Sequence, residues 1–347
     1  MRLGLDIGGT KTAAAILHDD GSVAALHTAP SGHGPGEVVA VASMLAKAAI
    51  AEVSAARFAV AGFAAAGTAR SIGPDTATAT ARPTLTRGDL PVRAGACMPG
   101  LVDPASGMVR HAVNLGVDSM DLRRGLSEAL EMDVSVENDV KAAALGADAL
   151  LRARSGAADA PAAASSSFAE GRTLAYLNLG TGLAAAVVRD GQVLRGRDGI
   201  VGEIGHLPVA GGTRCKCGQF GCLETLASGS ALDRLWRVPG GRGLDPFAAA
   251  ASGDPVAAHA AQVLCHGIAI SLQLLVLTTG AERIVIGGGL CALGNALENG
   301  IRSELTRDAA ASDFVASLEL ADRFELLPSD VPVAALGAAL LPARDQL

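Results

Sequence analysis

One local order of residues occurs twice in this chain and constrains its fold more than any other feature. Residues 3–7 form a short apolar run that ends in Gly8-Gly9-Thr10; residues 12–17 follow, then an Asp20-Gly21 turn and residues 23–27. Residues 174–179 end in Gly180-Thr181-Gly182 and lead into residues 183–188, an Asp190-Gly191 turn and residues 192–194. Short apolar runs bounded by glycine read as strands, and Asp-Gly between two of them reads as a hairpin turn. The chain thus carries two related strand–turn–strand–turn–strand units. Glycine and threonine after a strand expose successive backbone N–H groups, which cradle phosphate oxygens. One such turn is a weak signal; two related ones, with Gly287-Gly288-Gly289 near the end, are a much stronger one.

At 347 residues the chain has room for about two domains of ~150 residues each. Hydrophobic residues make up 50% and charged residues 18%, which excludes a disordered chain. Aromatics are only 3%, so the core is aliphatic and stacking platforms for nucleic acid are scarce. The formal net charge is -7, and lysine occurs only as Lys11, Lys47, Lys141 and Lys216, so no phosphate-backbone binder is expected. Asp6 and Lys11 interrupt any leader-like apolar run at the start, which points to a cytoplasmic protein.

Residues 256–280 contain no Asp, Glu, Lys or Arg and meet the length needed to span a bilayer. His259, Gln262, His266 and Gln273 nevertheless recur at helical spacing as one polar stripe, and Asp254-Pro255 supplies an N-cap followed by proline. A buried amphipathic helix is expected there, and no membrane partner. Cysteine use fits a reducing compartment. Cys97, Cys265 and Cys291 read as ordinary residues in apolar surroundings.

The remaining cysteines are clustered. Cys215 and Cys217 are one residue apart, Cys222 lies five positions after Cys217, and His206 nine positions before Cys215. Three thiolates and an imidazole are a closed tetrahedral set for structural zinc, and Gly218 and Gly221 allow the chain to fold back around the ion. A disulfide is the weaker reading, because cysteines one residue apart bridge with difficulty and three thiols leave one over. Glu203 and Glu224 bracket the run.

Elsewhere, residues 37–52 read as an alanine-rich helix, 92–97 as the strand before Pro99-Gly100, 134–136 as a strand and 140–154 as a helix. Gly62 and Gly67 break the helical pattern, and 58–90 read as an insertion. Residues 155–170 have the Ala/Ser/Gly composition of a flexible loop. Residues 283–286 read as a strand and 333–340 as a closing helix.

Residues 4–12, Gly-Leu-Asp-Ile-Gly-Gly-Thr-Lys-Thr, together with Pro99-Gly-Leu-Val-Asp103, Glu137-Asn-Asp-Val-Lys141, Asn178-Leu-Gly-Thr-Gly182 and the cysteine run, resemble the ROK family of sugar kinases and sugar-responsive repressors. The resemblance runs from about residue 3 to about residue 340. It implies an α/β, two-lobed actin-like ATPase (ribonuclease H-like) fold with a duplicated β-sheet core and a zinc-binding loop. The expected lobes are 1–114 plus 332–347, the small N-terminal lobe, and 115–331, the large one, with the zinc motif at 206–222. ATP and Mg²⁺ are expected in the cleft, the sugar at the lobe junction, and a homodimer or homotetramer as the assembly.

Within that frame the nucleotide is expected on Gly8, Gly9, Thr10, Gly180, Thr181 and Gly182, with Gly287, Gly288 and Gly289. Asp6 would reach Mg²⁺ through water, because Mg²⁺ keeps much of its hydration shell. Lys11 either adds charge beside the transferred phosphoryl group or is a solvated turn lysine. Asp139 follows a strand and opens a helix, where the dipole favours a carboxylate, so it is the expected general base toward a sugar hydroxyl. By itself an Asp in that position would be read as an N-cap; the surrounding motifs favour catalysis.

Asn138 is placed to hydrogen-bond sugar hydroxyls, and Gly100 would let backbone approach the sugar. The resemblance implies that Glu203, Glu224 and the zinc-bound His206 contact the sugar as well. Asn114 is a further substrate-binding candidate, but the family often continues from it to a tryptophan, whereas this chain reads Asn114-Leu-Gly-Val-Asp118.

The expected reaction is glucose to glucose 6-phosphate. N-acetylglucosamine, N-acetylmannosamine, fructose or allose is the alternative substrate. A non-catalytic sugar-sensing regulator is the alternative class; such members carry a helix-turn-helix segment ahead of the Asp-Ile-Gly-Gly-Thr turn, which here begins at Asp6. An actin-like or chaperone ATPase ranks last, because it has no need of the zinc run.

Overall fold

The computed structural model describes residues 1–66, 93–154, 172–209, 211–238 and 245–341. Two compact units divide the chain: Met1–Asp139 with Ala335–Leu347, and Val140–Ala334. Each is built on a five-stranded sheet.

In the first unit β1 (Arg2–Ile7), β2 (Lys11–Leu17) and β3 (Val23–Pro30) form an antiparallel meander. After α1 (Pro35–Ala66), β4 (Arg93–Met98) joins β1 in parallel. A small antiparallel sheet follows, of β5 (Leu101–Asp103), β6 (Met108–Ala112) and β7 (Val117–Asp121). Then α2 (Leu122–Leu130) leads to β8 (Val134–Asn138), parallel to β4. The sheet order is β3-β2-β1-β4-β8.

The second unit repeats the plan. It takes α3 (Asp139–Arg154) from Val140 onward, then β9 (Thr173–Leu179), β10 (Leu183–Arg189) and β11 (Gln192–Val193) as a second meander. Four helices follow: α4 (Gly229–Leu235), α5 (Pro246–Ala251), α6 (Pro255–Thr279) and, beyond β12 (Arg283–Gly287), α7 (Gly294–Ala311). The short α8 (Asp313–Ala316) and α9 (Leu320–Arg323) precede β13 (Phe324–Leu326), and α10 (Val333–Ala339) closes the chain. Its sheet order is β11-β10-β9-β12-β13, with β12 and β13 parallel additions. The two sheets therefore share order and direction strand for strand, as the repeated sequence pattern requires.

The central strands are buried on both faces and read as continuous apolar runs. Along β9, Ala175 and Leu177 join the core under α6 and α7, whereas Leu174 and Tyr176 join the core under α3, following the period of two. The first core is built on Leu3, Leu5 and Ile7 of β1 against Val38, Leu45 and Leu126.

The units divide at Asp139/Val140, not at 114/115 as expected from sequence. The reason is β8: its ladder to β4 keeps residues up to 138 in the first sheet, while Val140, Ala143, Ala144 and Ala147 of α3 pack in the second unit. The closing boundary falls inside α10, between Ala334 and Ala335, and not at 331/332. Here a Cβ on Gly4 or Gly95 would run into the carbonyl of Ala335 or Ala338, so those two glycines let α10 lie directly on the first sheet.

The α1 helix also continues past its expected end, and Gly62 lies within it. Of the insertion expected at 58–90, residues 67–90 fall outside the described residues, as does the expected loop at 155–170. Helix α6 starts as the sequence implies: Asp254 accepts the N–H groups of Val256 and Ala257 at 2.8 and 3.1 Å, with Pro255 at the first position. Among the described residues α1 (over Pro35–Ala55) and α6 are long and apolar enough to cross a bilayer. In α6, 61% of the apolar window is buried inside the protein, and His259, Gln262 and His266 are exposed, which fits an amphipathic core helix.

Candidate functional site

In the first unit the phosphate-type turn is fixed from behind. The Gly8 N–H donates to the Lys11 carbonyl at 3.0 Å. The Ser31 hydroxyl donates to the Gly8 carbonyl at 2.6 Å, its N–H to the Thr10 carbonyl at 3.1 Å, and its Oγ lies 2.9 Å from Thr12 Oγ1. Nothing in the sequence marks Ser31, because it reaches the turn only through the β2–β3 pairing. Asn114 packs on Gly9: a Cβ there would lie 3.1 Å from that of Asn114. Asn138 donates its Nδ2–H to the Gly100 carbonyl at 3.2 Å, and its N–H to Glu137 Oε1 at 2.9 Å. Asp139 follows as the first residue of α3.

Parallel register sets Asp6 of β1 beside Cys97 of β4, and Cys97 beside Glu137 of β8. The Cys97 thiol points at Asp6 Oδ1, 3.8 Å away. Cys97 is thus no ordinary apolar-context cysteine, as its sequence neighbours implied. Burial, with the charges of Asp6 and Asp139 next, pushes its thiol well above the usual range, so it stays protonated. Asp6 itself is raised from 3.8 to about 7, first by desolvation and then by the charge of Asp139; the Cys97 hydrogen bond and Lys11 pull the other way. A half-buried carboxylate whose proton affinity is raised by the charge of a second one is suited to receive a cation.

In the second unit, the turn after β9 lines a cavity of about 1110 Å³. Gly180, Thr181 and Gly289 of the expected nucleotide residues all face it. Leu232, Trp236, Leu290 and Leu293, which sequence reasoning missed, line it together with the charged Asp233, Arg234, Arg237 and Asp245. Trp236 is the sole tryptophan of the chain, and that rarity was the available signal. Gly182, Gly287 and Gly288 are not among the lining residues. Gly287 lies against Tyr176 and Gly288 against the Leu179 carbonyl. Gly182 faces Glu224, whose Oε2 would be 2.6 Å from a Cβ at that position, so a side chain there would displace the carboxylate.

The expected metal ligands come together. One donor atom each from His206, Cys215, Cys217 and Cys222 lies within 4.8 Å of all the others. Cys217 Sγ is 3.6 Å from Cys222 Sγ, and Cys215 Sγ is 3.8 Å from His206 Nδ1. A tetrahedron with metal–sulfur bonds of ~2.3 Å has edges of about 3.8 Å, so these donors could hold one tetrahedral cation. Two isolated bridges, Pro208 to Cys222 and Arg214 to Phe220, fold the loop back on itself. Cys217 is lowered to about 6, first by the Gln219 backbone N–H, whereas desolvation pushes Cys215 up to about 12.

Glu224 joins this cluster to the β9–β10 turn. Its Oε1 accepts from Cys215 Sγ at 3.3 Å and lies 4.0 Å from His206 Nδ1, and its Oε2 accepts the Leu183 N–H at 3.4 Å. Glu203 is half-buried and caps the short turn of helix Ile204–His206, its carbonyl accepting the His206 N–H at 3.2 Å.

A family model described as the ROK family matches residues 83–341. The chain is similar to a glucokinase of Halalkalibacterium halodurans, 31% identical over 219 residues, which is 57% of this chain and 62% of that protein. It is also similar to the DNA-binding transcriptional dual regulator NagC of Escherichia coli, 28% identical over 61% of this chain and 52% of that protein. The chain thus spans between half and two thirds of the length of these curated relatives. Among solved structures it matches a ROK family glucokinase from Streptomyces griseus in complex with glucose and AMPPNP, with TM-score 0.65, 25% identity and 97% of each chain covered. With its matched family model, its duplicated sheets and this structural likeness, the chain belongs to the ROK family and has the two-lobed actin-like ATPase fold.

Proposed function

We propose that this protein is an ATP-dependent hexose kinase, with glucose as its first substrate and an N-acetylhexosamine, fructose or allose as the alternatives. The observation that carries this reading is the pairing of Asp6 and Asp139, one beside the Gly8-Gly9-Thr10 turn and the other opening α3. Similarity to a glucokinase solved with glucose and AMPPNP supports the same reading.

In this proposal Asp139 is the general base. It takes the proton of a sugar hydroxyl as that oxygen bonds to the γ-phosphorus and the bond from γ-phosphorus to the ADP oxygen breaks. Asn138, held by Gly100, would donate to sugar hydroxyls, with Asn114 beside Gly9 as a further contact. Glu203 and Glu224 would accept from sugar hydroxyls, since carboxylates fix two donors at once, and the free ring N–H of metal-bound His206 would donate to a sugar oxygen. Lys11, Gly8, Gly9, Thr10, Gly180, Thr181 and Gly289 would meet the phosphates; Gly182, Gly287 and Gly288 would shape the turns behind them. Mg²⁺ accompanying ATP would spread the charge that develops on the transferred phosphoryl group, with Asp6 as its nearest carboxylate.

The donor set of His206, Cys215, Cys217 and Cys222 suits Zn²⁺, with no position left open for water. Zinc there would supply structure, not chemistry: it would orient His206 and lock the loop that carries Glu224.

A sugar-sensing regulator is the second reading, supported by the likeness to NagC. One experiment separates them. Purified protein with ATP, Mg²⁺ and a panel of monosaccharides is assayed for ADP release. The kinase reading expects release that depends on one or a few sugars. Sugar binding by calorimetry with no ADP release would favour the regulator, and release independent of sugar would contradict both.

A further inference from the structure

We propose that Ser31 is a positioning residue for phosphoryl transfer: it holds the Gly8-Gly9-Thr10 turn so that the N–H groups of Gly9 and Thr10 face the transferred phosphoryl group. This rests on the kinase reading and adds to it a residue that touches neither substrate.

Ser31 directs both of its donors at the turn. Its hydroxyl donates to the Gly8 carbonyl at 2.6 Å and its N–H to the Thr10 carbonyl at 3.1 Å. A serine hydroxyl has one proton, and here it is committed to Gly8. At the 2.9 Å contact between Ser31 Oγ and Thr12 Oγ1, the Thr12 hydroxyl is therefore the donor. Thr12 is buried, so that end of the chain of hydrogen bonds is shielded from water. The loop behind is tied down as well, because the Gly34 N–H donates to the Leu115 carbonyl at 2.7 Å.

These bonds decide where the donors of the turn point. In a planar trans peptide the carbonyl of one residue and the N–H of the next point in opposite directions. Holding the Gly8 carbonyl on Ser31 thus aims the Gly9 N–H away from Ser31. The Thr10 N–H is left over for a different reason. Lys11 pairs with Pro30 at the end of the β2–β3 ladder, so Thr10 and Ser31 form the next rung. In a hydrogen-bonded antiparallel pair both residues exchange N–H and carbonyl, whereas here only the Ser31 N–H to Thr10 carbonyl bond is made. The Gly8 N–H is closed on the Lys11 carbonyl at 3.0 Å. Among the described residues, the N–H groups of Gly9 and Thr10 meet no acceptor. Two adjacent donors of this kind suit phosphate oxygens, and donors fixed in advance need no reorganisation as charge develops.

The full chain, metal-loaded as purified, is tested in two ways. In steady-state assays Ser31→Ala should lower kcat/KM for ATP about tenfold while the sugar KM stays within about twofold. Ser31→Thr keeps the hydroxyl and should restore most of the loss. Thr12→Val should lower kcat/KM for ATP less than Ser31→Ala does, and should add nothing to it in the double variant, because both act through one hydroxyl. Independently, wild-type protein isotope-labelled at glycine and threonine nitrogens is titrated with Mg·ATP and with Mg·tripolyphosphate. The amide resonances of Gly9 and Thr10 should move with either ligand, and that of Gly8 much less.

Wild-type kcat/KM for ATP in Ser31→Ala would overturn the positioning role and leave the kinase reading intact. Equal falls in the ATP and sugar constants, with no rescue by Ser31→Thr, would overturn it too, by making the residue a packing element. If Ser31→Ala does not fold, Ser31→Thr and the wild-type resonances decide, and unmoved Gly9 and Thr10 amides in the ATP-bound protein contradict the proposal. Failure of the wild type to bind ATP at all would overturn the kinase reading and this one with it.

Discussion

The charge of Asp139 raises the proton affinity of Asp6, second only to desolvation, and together they bring Asp6 from 3.8 to about 7. The relationship is built by the sheet. Asp6 sits near the end of β1, while Asp139 is the residue after β8, two strands away across β4. Neither position is explained by packing alone, since both are half-buried carboxylates in one patch.

That pair sets a pH dependence of stability. Asp6 binds its proton more tightly in the folded state than its ordinary value of 3.8, so this group favours folding below about pH 4. As pH rises toward 7 the folded state must give up that proton, and the contribution is lost. The upper bound is about 4 kcal/mol. Urea midpoints in Mg²⁺-free buffer between pH 4 and 8 should therefore show Asp6→Asn gaining on wild type as pH rises. Parallel profiles would contradict the coupling.

Removing one thiol should dismantle the cysteine loop. Cys217→Ser is expected to lose zinc, measured as metal per chain, and to weaken sugar affinity by about tenfold or more, because the loop closed by the metal positions His206 and Glu224. A zinc-free wild type with full sugar-dependent turnover would contradict a structural role for the metal.

Glu203 and the nucleotide should be separable. Glu203→Gln keeps shape and removes charge, and it should raise the sugar KM about 10- to 100-fold while the ATP KM stays within about twofold. Equal rises in both constants would count against Glu203 as a sugar ligand.

Much of the fold was legible because it rests on local signals. The strand runs, Asp-Gly turns and Gly/Thr turns around residues 3–27 and 174–194 fell where β1–β3 and β9–β11 lie, and Asp254-Pro255 marked the start of α6. Sequence also singled out His206, Cys215, Cys217 and Cys222, whose donor atoms the fold gathers within 4.8 Å of one another.

What stayed hidden depends on contacts distant in the chain. The unit boundary at Asp139 follows from the β4–β8 ladder, and no residue near 114 or 139 announces it. Gly62 sits inside α1 although glycine is a poor helix former, a preference that context overrides. Cys97 looked apolar because its polar neighbours, Asp6 and Glu137, lie on other strands.

The central claim is that Asp139 removes the proton of a sugar hydroxyl during phosphoryl transfer. The most direct test compares kcat for wild type and Asp139→Asn with ATP and the preferred sugar, after circular dichroism and ATP calorimetry have shown an intact fold and nucleotide site. Asparagine keeps the size and takes away the base, so a fall in kcat of about 10²- to 10⁴-fold at nearly unchanged ATP affinity is expected. Turnover within a few-fold of wild type would contradict the account.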